Sequence, residues 1–494
     1  MTYGLVDYAD VQGLVRFGYG RMTSASYALV RVKDVAAAKA WLRAAPVTNA
    51  IEKRPPPTTA LQIAFTAPGL AQLGLPPSVM EGFSREFRTG MSKDYRTRLL
   101  GDVGRNAPEG WDWGGPGSEP HLLVMFFAEP EHFDSFVQST KGNTWSDAFE
   151  EVISLGTSNL DGDEPFGFAD GISQPDIDWD EQRQTPCKQL DYTNIVALGE
   201  FLLGYRNEYG KITDRPLLDP DATNAELLPA VDTPEKKDLA RNGTYLVMRQ
   251  LEQDVQRFWN FLYERAGGNL AEAAQLGAKI VGRTRAGDPL VPIQTEPIAG
   301  TDPRTVKQNQ FTYEADPAGA RCPFGAHIRR ANPRNSDFPE RRIGALRKLI
   351  IILGFGPKGF YDDLISSVRF HRILRRGREY GSELSPEQAL QSASPNEPRG
   401  LHFICLNANI SRQFEFLQSA WIANTKFSGV TGESDPLLGN RESISGCPVT
   451  NNFTIPGDGA LRKRVHDLPQ FLTVRGGAYF FLPSLRALRY FARA

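Results

Sequence analysis

The run Tyr27-Ala-Leu-Val-Arg-Val32-Lys-Asp34-Val35-Ala-Ala-Ala38-Lys-Ala-Trp41-Leu42 decides the fold. Its first six residues are mostly aromatic, aliphatic or β-branched and predict a strand over 27–32. Asp34 is a suitable N-cap, and Val35, Ala38, Trp41 and Leu42 then recur at helical spacing, so a helix over 35–45 follows. Working outward, residues 61–66 predict a second strand, followed by a helical stretch carrying Leu70, Leu73 and Leu75. Residues 121–127 predict a third, followed by a helix over 129–137. The later half repeats this rhythm. A strand over 244–251 leads into a helix over 254–265, with Phe258, Phe261 and Leu262 on one face. A strand over 401–406 leads into a helix over 411–423 carrying Phe414, Leu417 and Trp421, and 479–482 is a closing strand.

Strands with intervening helices in both halves predict two α+β domains, each an antiparallel sheet with helices on one face. At 494 residues the chain is long enough for two or three domains at ~150 residues each. The polar, acidic, Pro-containing stretch 207–242 is the expected linker, which divides the chain into 1–235 and 236–494.

A formal net charge of −2 argues against a nucleic-acid binder and against a polybasic membrane-surface protein. The apolar runs 122–128 and 349–353 are far shorter than the ~20 residues that span a bilayer. Four cysteines in so long a chain, Cys187, Cys322, Cys405 and Cys447, cannot make a disulfide framework, and none forms a Cys-x-x-Cys pair, which disfavours a structural zinc site. The first twenty residues lack a basic segment followed by an apolar one, so the expected location is cytoplasmic.

Three clusters carry the chemistry. In Glu164-Pro-Phe-Gly-Phe-Ala-Asp170-Gly171-Ile172-Ser-Gln-Pro175 an acid sits in a segment that must turn sharply. An isolated Asp-Gly is usually a plain turn, but Phe166, Phe168 and Ile172 on both sides favour a buried Asp170, with Gly171 allowing close approach of a ligand. Among only six histidines, His327 lies in Cys322-Pro-Phe-Gly-Ala-His327-Ile-Arg329-Arg330-Ala-Asn-Pro-Arg334. It reads either as a core histidine beside a solvated basic patch or as an iron ligand whose neighbouring guanidinium groups pair with an anion. The arginine-rich run 369–378 interleaves Phe370, Ile373 and Leu374, so at least one guanidinium should point inward, and Asp170 is the available anion.

Together these clusters resemble the dye-decolorizing (DyP-type) haem peroxidases over nearly the whole chain. Gly167-Phe-Ala-Asp170-Gly171 matches the family's GXXDG signature, and the segment from His327 to Arg334 matches its proximal-ligand motif. Arg375-Arg-Gly-Arg-Glu-Tyr-Gly381 looks like its distal-arginine segment, and Asp10-Val-Gln-Gly13 resembles its N-terminal motif. The resemblance implies duplicated ferredoxin-like domains and one haem b per chain, held mainly in the second domain. It implies His327 as proximal iron ligand, Asp170 as distal acid–base residue and Arg375 as distal charge stabiliser. Leu401 and Phe403 would line the distal cavity, with Gly171 and Ile172 beside the cofactor. Arg334 would be the propionate partner and Asp435 the acceptor for the His327 N–H. The partners implied are hydrogen peroxide and an organic donor such as a dye or phenol, with no nucleic acid or membrane and an oligomer left open. Arg378-Glu379 replaces an apolar–Pro pair found in the fungal secreted members, so the cytoplasmic bacterial branch is the expected affiliation. A haem carrier or sensor, or an iron-releasing haem-handling protein, is the alternative. Trp421 and Tyr380 are candidate electron relays for bulky donors.

Overall fold

The computed structural model describes residues 6–181, 194–293, 307–335, 368–391, 397–442, 450–457 and 461–493. Cys187, Cys447 and the apolar run 349–353 lie outside them.

The opening stretch folds as its pattern dictates. Strand β1 is Ser24–Val32 and helix α1 is Val35–Ala44. The Asp34 carboxylate accepts from the Ala37 amide at 2.7 Å, satisfying a donor that the first turn leaves unpaired. Strands β2 (Thr59–Phe65), β3 (Leu122–Ala128) and β4 (Phe149–Gly156) complete the first set, with α2 (Phe133–Lys141) after β3. A short hairpin, β5 (Asp163–Glu164) and β6 (Phe168–Ala169), carries the GXXDG motif. The second set begins with β7 (Thr244–Gln253), α3 (Val255–Arg265) and α4 (Leu270–Val281). The short helix α5 (His327–Ala331), β8 (Leu374–Arg375), β9 (Arg378–Tyr380) and β10 (Gly400–Asn407) follow. The last elements are β11 (Leu472–Leu482) and α6 (Leu485–Arg493).

The first set is ordered β2-β3-β1-β4 and the second β8-β10-β7-β11, with β9 also paired to β10. Each is the second-third-first-fourth order of a ferredoxin-like unit, so the chain is a duplicated α+β fold. The two sheets are continuous. Phe481 of β11 pairs with Phe65 of β2, joining them into one antiparallel sheet of nine described strands.

The helices pack on one face of the sheet, as expected, and the other face is covered as well. On β3 every residue is buried, with Leu122, Val124 and Phe126 in one apolar cluster and Leu123, Met125 and Phe127 in the other. The second face is closed by irregular chain that includes Val11, Leu14, Phe201 and Leu202, which is why β3 reads as a continuous apolar run and not as an alternation.

Two expectations change. The stretch 207–242 is packed chain and not a free linker: Arg215 is buried between Asp232 at 2.5 Å and Asp238 at 2.6 Å. Residues 411–422 are π-helical, with Glu415 N–H donating to Ile410 O and Ala423 N–H to Gln418 O, both at 2.9 Å. Apolar spacing over so short a stretch does not separate a turn of about 3.6 residues from a wider one.

The GXXDG hairpin falls in the first half of the sequence but packs on the second. The Phe166 ring lies 4.4 Å from that of Phe258, and Trp259 Nε1 donates to Phe166 O at 3.1 Å. Because Phe166 is fully buried, Phe166→Ala should destabilise the protein by ~3–5 kcal/mol in urea unfolding.

Candidate functional site

A cavity with about 260 Å³ of space for water lies between the hairpin, β7, β10, α5 and the π-helical segment. Two acid–base pairs open onto it.

The first joins distant parts of the chain. Arg375, on edge strand β8, donates from Nη1 to Asp170 Oδ1 at 2.7 Å. The Asp170 side chain is 41% accessible and lines the cavity. Burial pushes its pKa up; the charge and hydrogen bond of Arg375, with the Gly171 amide, outweigh this and hold it below the usual carboxylate value. Gly171 has φ of 74°, a left-handed turn that glycine adopts without strain.

The second pair joins His327, at the start of α5, to Asp435 on a later stretch of chain. His327 Nδ1 is 2.9 Å from Asp435 Oδ2, and Asp435 is fully buried. Its Oδ1 accepts from the amides of Leu437 and Leu438 at 2.9 and 2.8 Å, which fixes the carboxylate before it meets the imidazole. Burial lowers the His327 pKa, but the charge and hydrogen bond of Asp435 raise it above the ordinary value overall. With Nδ1–H directed to Asp435, Nε2 is the nitrogen left for a ligand.

Ile172, Leu401 and Phe403 line the cavity, while Gly171 contributes its turn and amide and is not on the wall. Leu401 and Phe403 share one face of β10. His402 therefore points the other way, where its Nε2 meets Gly156 O at 3.0 Å and burial lowers its pKa to about 4. His371 does line the cavity. Trp421 is buried against His371, and Tyr380 stacks on His402 at 4.5 Å.

The arginines after His327 are not a solvated patch. Arg329, Arg330 and Arg334 are each at most 1% exposed. Arg330 donates to the carbonyls of Trp421, Asn424 and Glu433, tying α5 to the chain that presents Asp435. Arg334 stands behind the cavity wall, donating to Asn309 O, Phe311 O, Asn309 Oδ1 and Ser173 Oγ.

Sequence reading missed three charged groups on the wall. Arg283 lines the cavity, and its Nη2 has no hydrogen-bond partner among the described residues. Burial, with the positive charges of Arg334 and Arg375, lowers its pKa to about 10. Arg249 pairs with the buried Asp102. Glu164 accepts from the Phe166 and Phe168 amides and from Gln253 Nε2, and burial pushes its pKa up to about 7. Neither Arg249 nor Arg283 sits in a distinctive motif; only Glu164 had a signal, as the first acid of the GXXDG segment.

No family model matches the chain. Among curated proteins it is 28% identical to the dye-decolorizing peroxidase AauDyP1 of Auricularia auricula-judae, over 97% of this chain and 86% of that one. It is 29% identical to the multifunctional dye peroxidase DyP2 of Amycolatopsis sp., over 69% of this chain and 63% of that one. The other curated relatives come from Mycetinis, Exidia and Mycena, so the likeness is to fungal-type members and lends the bacterial branch no special support. Among solved structures, a fungal DyP-type peroxidase from Auricularia auricula-judae superposes with a TM-score of 0.73 at 27% identity, covering 100% of both chains. A dye-decolorizing peroxidase with an engineered haem pocket gives 0.73 at 27% identity, covering 99% of this chain and 100% of that one. With the duplicated sheet, the GXXDG hairpin and both acid–base pairs in place, the chain is similar over nearly its whole length to the dye-decolorizing peroxidases.

Proposed function

We propose that the protein is a haem b peroxidase, one haem per chain, that reduces hydrogen peroxide and oxidises organic donors such as phenols and dyes. The observation that carries this is the Asp170–Arg375 pair on the same cavity as the His327–Asp435 pair. The site fits a haem by its donor set. His327 offers an imidazole nitrogen backed by a carboxylate, and the unpartnered buried Nη2 of Arg283 calls for an anion, which a propionate supplies. We therefore assign the propionate contact to Arg283, because the donors of Arg334 described above are directed to protein acceptors. When bound, the haem supplies the redox-active iron that exchanges electrons between peroxide and donor.

The residues of this chain do the rest. Asp170, ionised at rest, accepts the proton from one peroxide oxygen and returns it to the other, so that water can leave. Arg375 keeps Asp170 ionised and places a positive charge where negative charge develops. Asp435 draws the His327 Nδ1 proton toward itself and makes the imidazole a stronger electron donor. Leu401, Phe403 and Ile172 narrow the cavity so that peroxide enters and bulky donors are held outside. A carrier or sensor would need neither Asp170 nor Arg375, which speaks against that alternative. The described cysteines, Cys322 and Cys405, are buried free thiols, which suits a reducing cytoplasm. We keep 1–235 and 236–494 as the two units, since each contributes one complete strand set.

The test is pH dependence. Because the Asp170 pKa is depressed, activation by peroxide should hold as pH falls and be lost only below the ordinary Asp value of ~3.9. In Arg375→Leu burial is opposed mainly by the Gly171 amide, so the acid limb should move up. Stopped-flow absorbance without a donor measures both, and an acid limb indifferent to Asp170→Asn would sink the role of Asp170.

A further inference from the structure

The two distal side chains come from segments some two hundred residues apart, and their own ion pair does not fix where Arg375 stands. Arg375 belongs to β8, an edge strand paired with β10 on one side only. Its outward N–H meets no strand among the described residues, and Gln174 Oε1 accepts it at 3.1 Å. Gln174 lies on the loop that carries Asp170. The same loop touches the guanidinium a second time, where Arg375 Nη2 donates to Ser173 O at 3.4 Å.

That loop is anchored from the proximal side. Asn309 Nδ2 donates to Gln174 O at 3.4 Å, and Ser173 Oγ donates to Asn309 Oδ1 at 3.1 Å. Arg334 donates to Asn309 Oδ1 at 2.6 Å and to Ser173 Oγ at 3.3 Å. Arg334 follows the His327 helix directly and has φ of 55°, a left-handed backbone unusual for a side-chain-bearing residue and held only where its surroundings fix it. A hydrogen-bonded bracket thus runs from the proximal segment, behind the cavity wall, to the backbone of Arg375.

We propose that Gln174, held by Asn309 and Arg334, is the positioning residue that aligns Arg375 with Asp170 and so sets how firmly an anion is held in the distal cavity. The inference rests on the reading of Asp170 and Arg375 as the distal pair. A long guanidinium side chain samples many rotamers, and fixing its backbone at one point narrows where its tip can lie. Without the Gln174 acceptor the edge of β8 frays, and the donor drifts from its place beside Asp170.

Fluoride binding to the haem-loaded protein, followed by absorbance, reads this without turnover. Gln174→Leu should load haem normally and bind fluoride about three- to tenfold more weakly, the range expected for one hydrogen bond. Gln174→Asn, which keeps the amide but withdraws it, should weaken binding in the same direction and serves if Gln174→Leu does not fold. The double variant Gln174→Leu/Arg375→Leu should bind no more weakly than Arg375→Leu alone, because Gln174 acts through Arg375. Unchanged fluoride affinity in a haem-loaded Gln174 variant would overturn the proposal, as would additive losses in the double variant. If Arg375→Leu itself binds fluoride like the wild type, the distal assignment fails and the bracket's proposed role falls with it.

Discussion

His327→Ala should abolish the native haem spectrum. His371 also lines the cavity, but its Nδ1 is engaged by Arg412 O and its ring is stacked on Phe416 at 3.6 Å, so it is poorly placed to substitute. His327→Ala expressed with excess haem should show either no Soret band or one that free imidazole converts back toward the native form. An unchanged spectrum would remove His327 as the ligand. Asp435→Asn is the milder companion: it should keep the haem but weaken electron donation from the imidazole, raising the ferric/ferrous potential in a redox titration.

The second large effect lies on the other pair. Asp170→Asn and Arg375→Leu should each retain haem yet slow the peroxide-induced absorbance change by ~10²–10³-fold near neutral pH. The structure makes the two losses different in kind. Asp170→Asn removes the proton acceptor at every pH, whereas Arg375→Leu leaves a carboxylate that burial now disfavours, so part of its rate should return as pH rises. Rates like the wild type's in both variants would mean that the pair is structural.

Much of this was legible in the sequence, and for particular reasons. Asp34 and the spacing of Val35, Ala38, Trp41 and Leu42 gave α1 to within a residue, because capping and amphipathic spacing are local. That an arginine of 369–378 meets Asp170 was legible because an arginine among apolar neighbours needs an anion, and the family resemblance singled out Arg375. The joining of two sheets through Phe481 and Phe65 was not, since edge-to-edge pairing leaves no periodic trace. Nor was the burial of Arg329, Arg330 and Arg334. A cluster of cations looks solvated in sequence, and only the fold reveals the carbonyls and the Asp316 carboxylate that receive them. Arg283 was invisible for the converse reason: nothing near it in sequence shows that the fold leaves one of its donors open at the cavity.

The central claim, peroxide reduction at a haem served by these two pairs, is tested most directly by one absorption experiment on the purified haem-loaded protein. The spectrum is recorded at rest, after one equivalent of hydrogen peroxide, and again after a phenolic donor. The account predicts a Soret band that changes promptly with peroxide and returns to its resting form as the donor is oxidised. A Soret band that ignores peroxide, or one that bleaches with release of iron and is not restored by the donor, would contradict it.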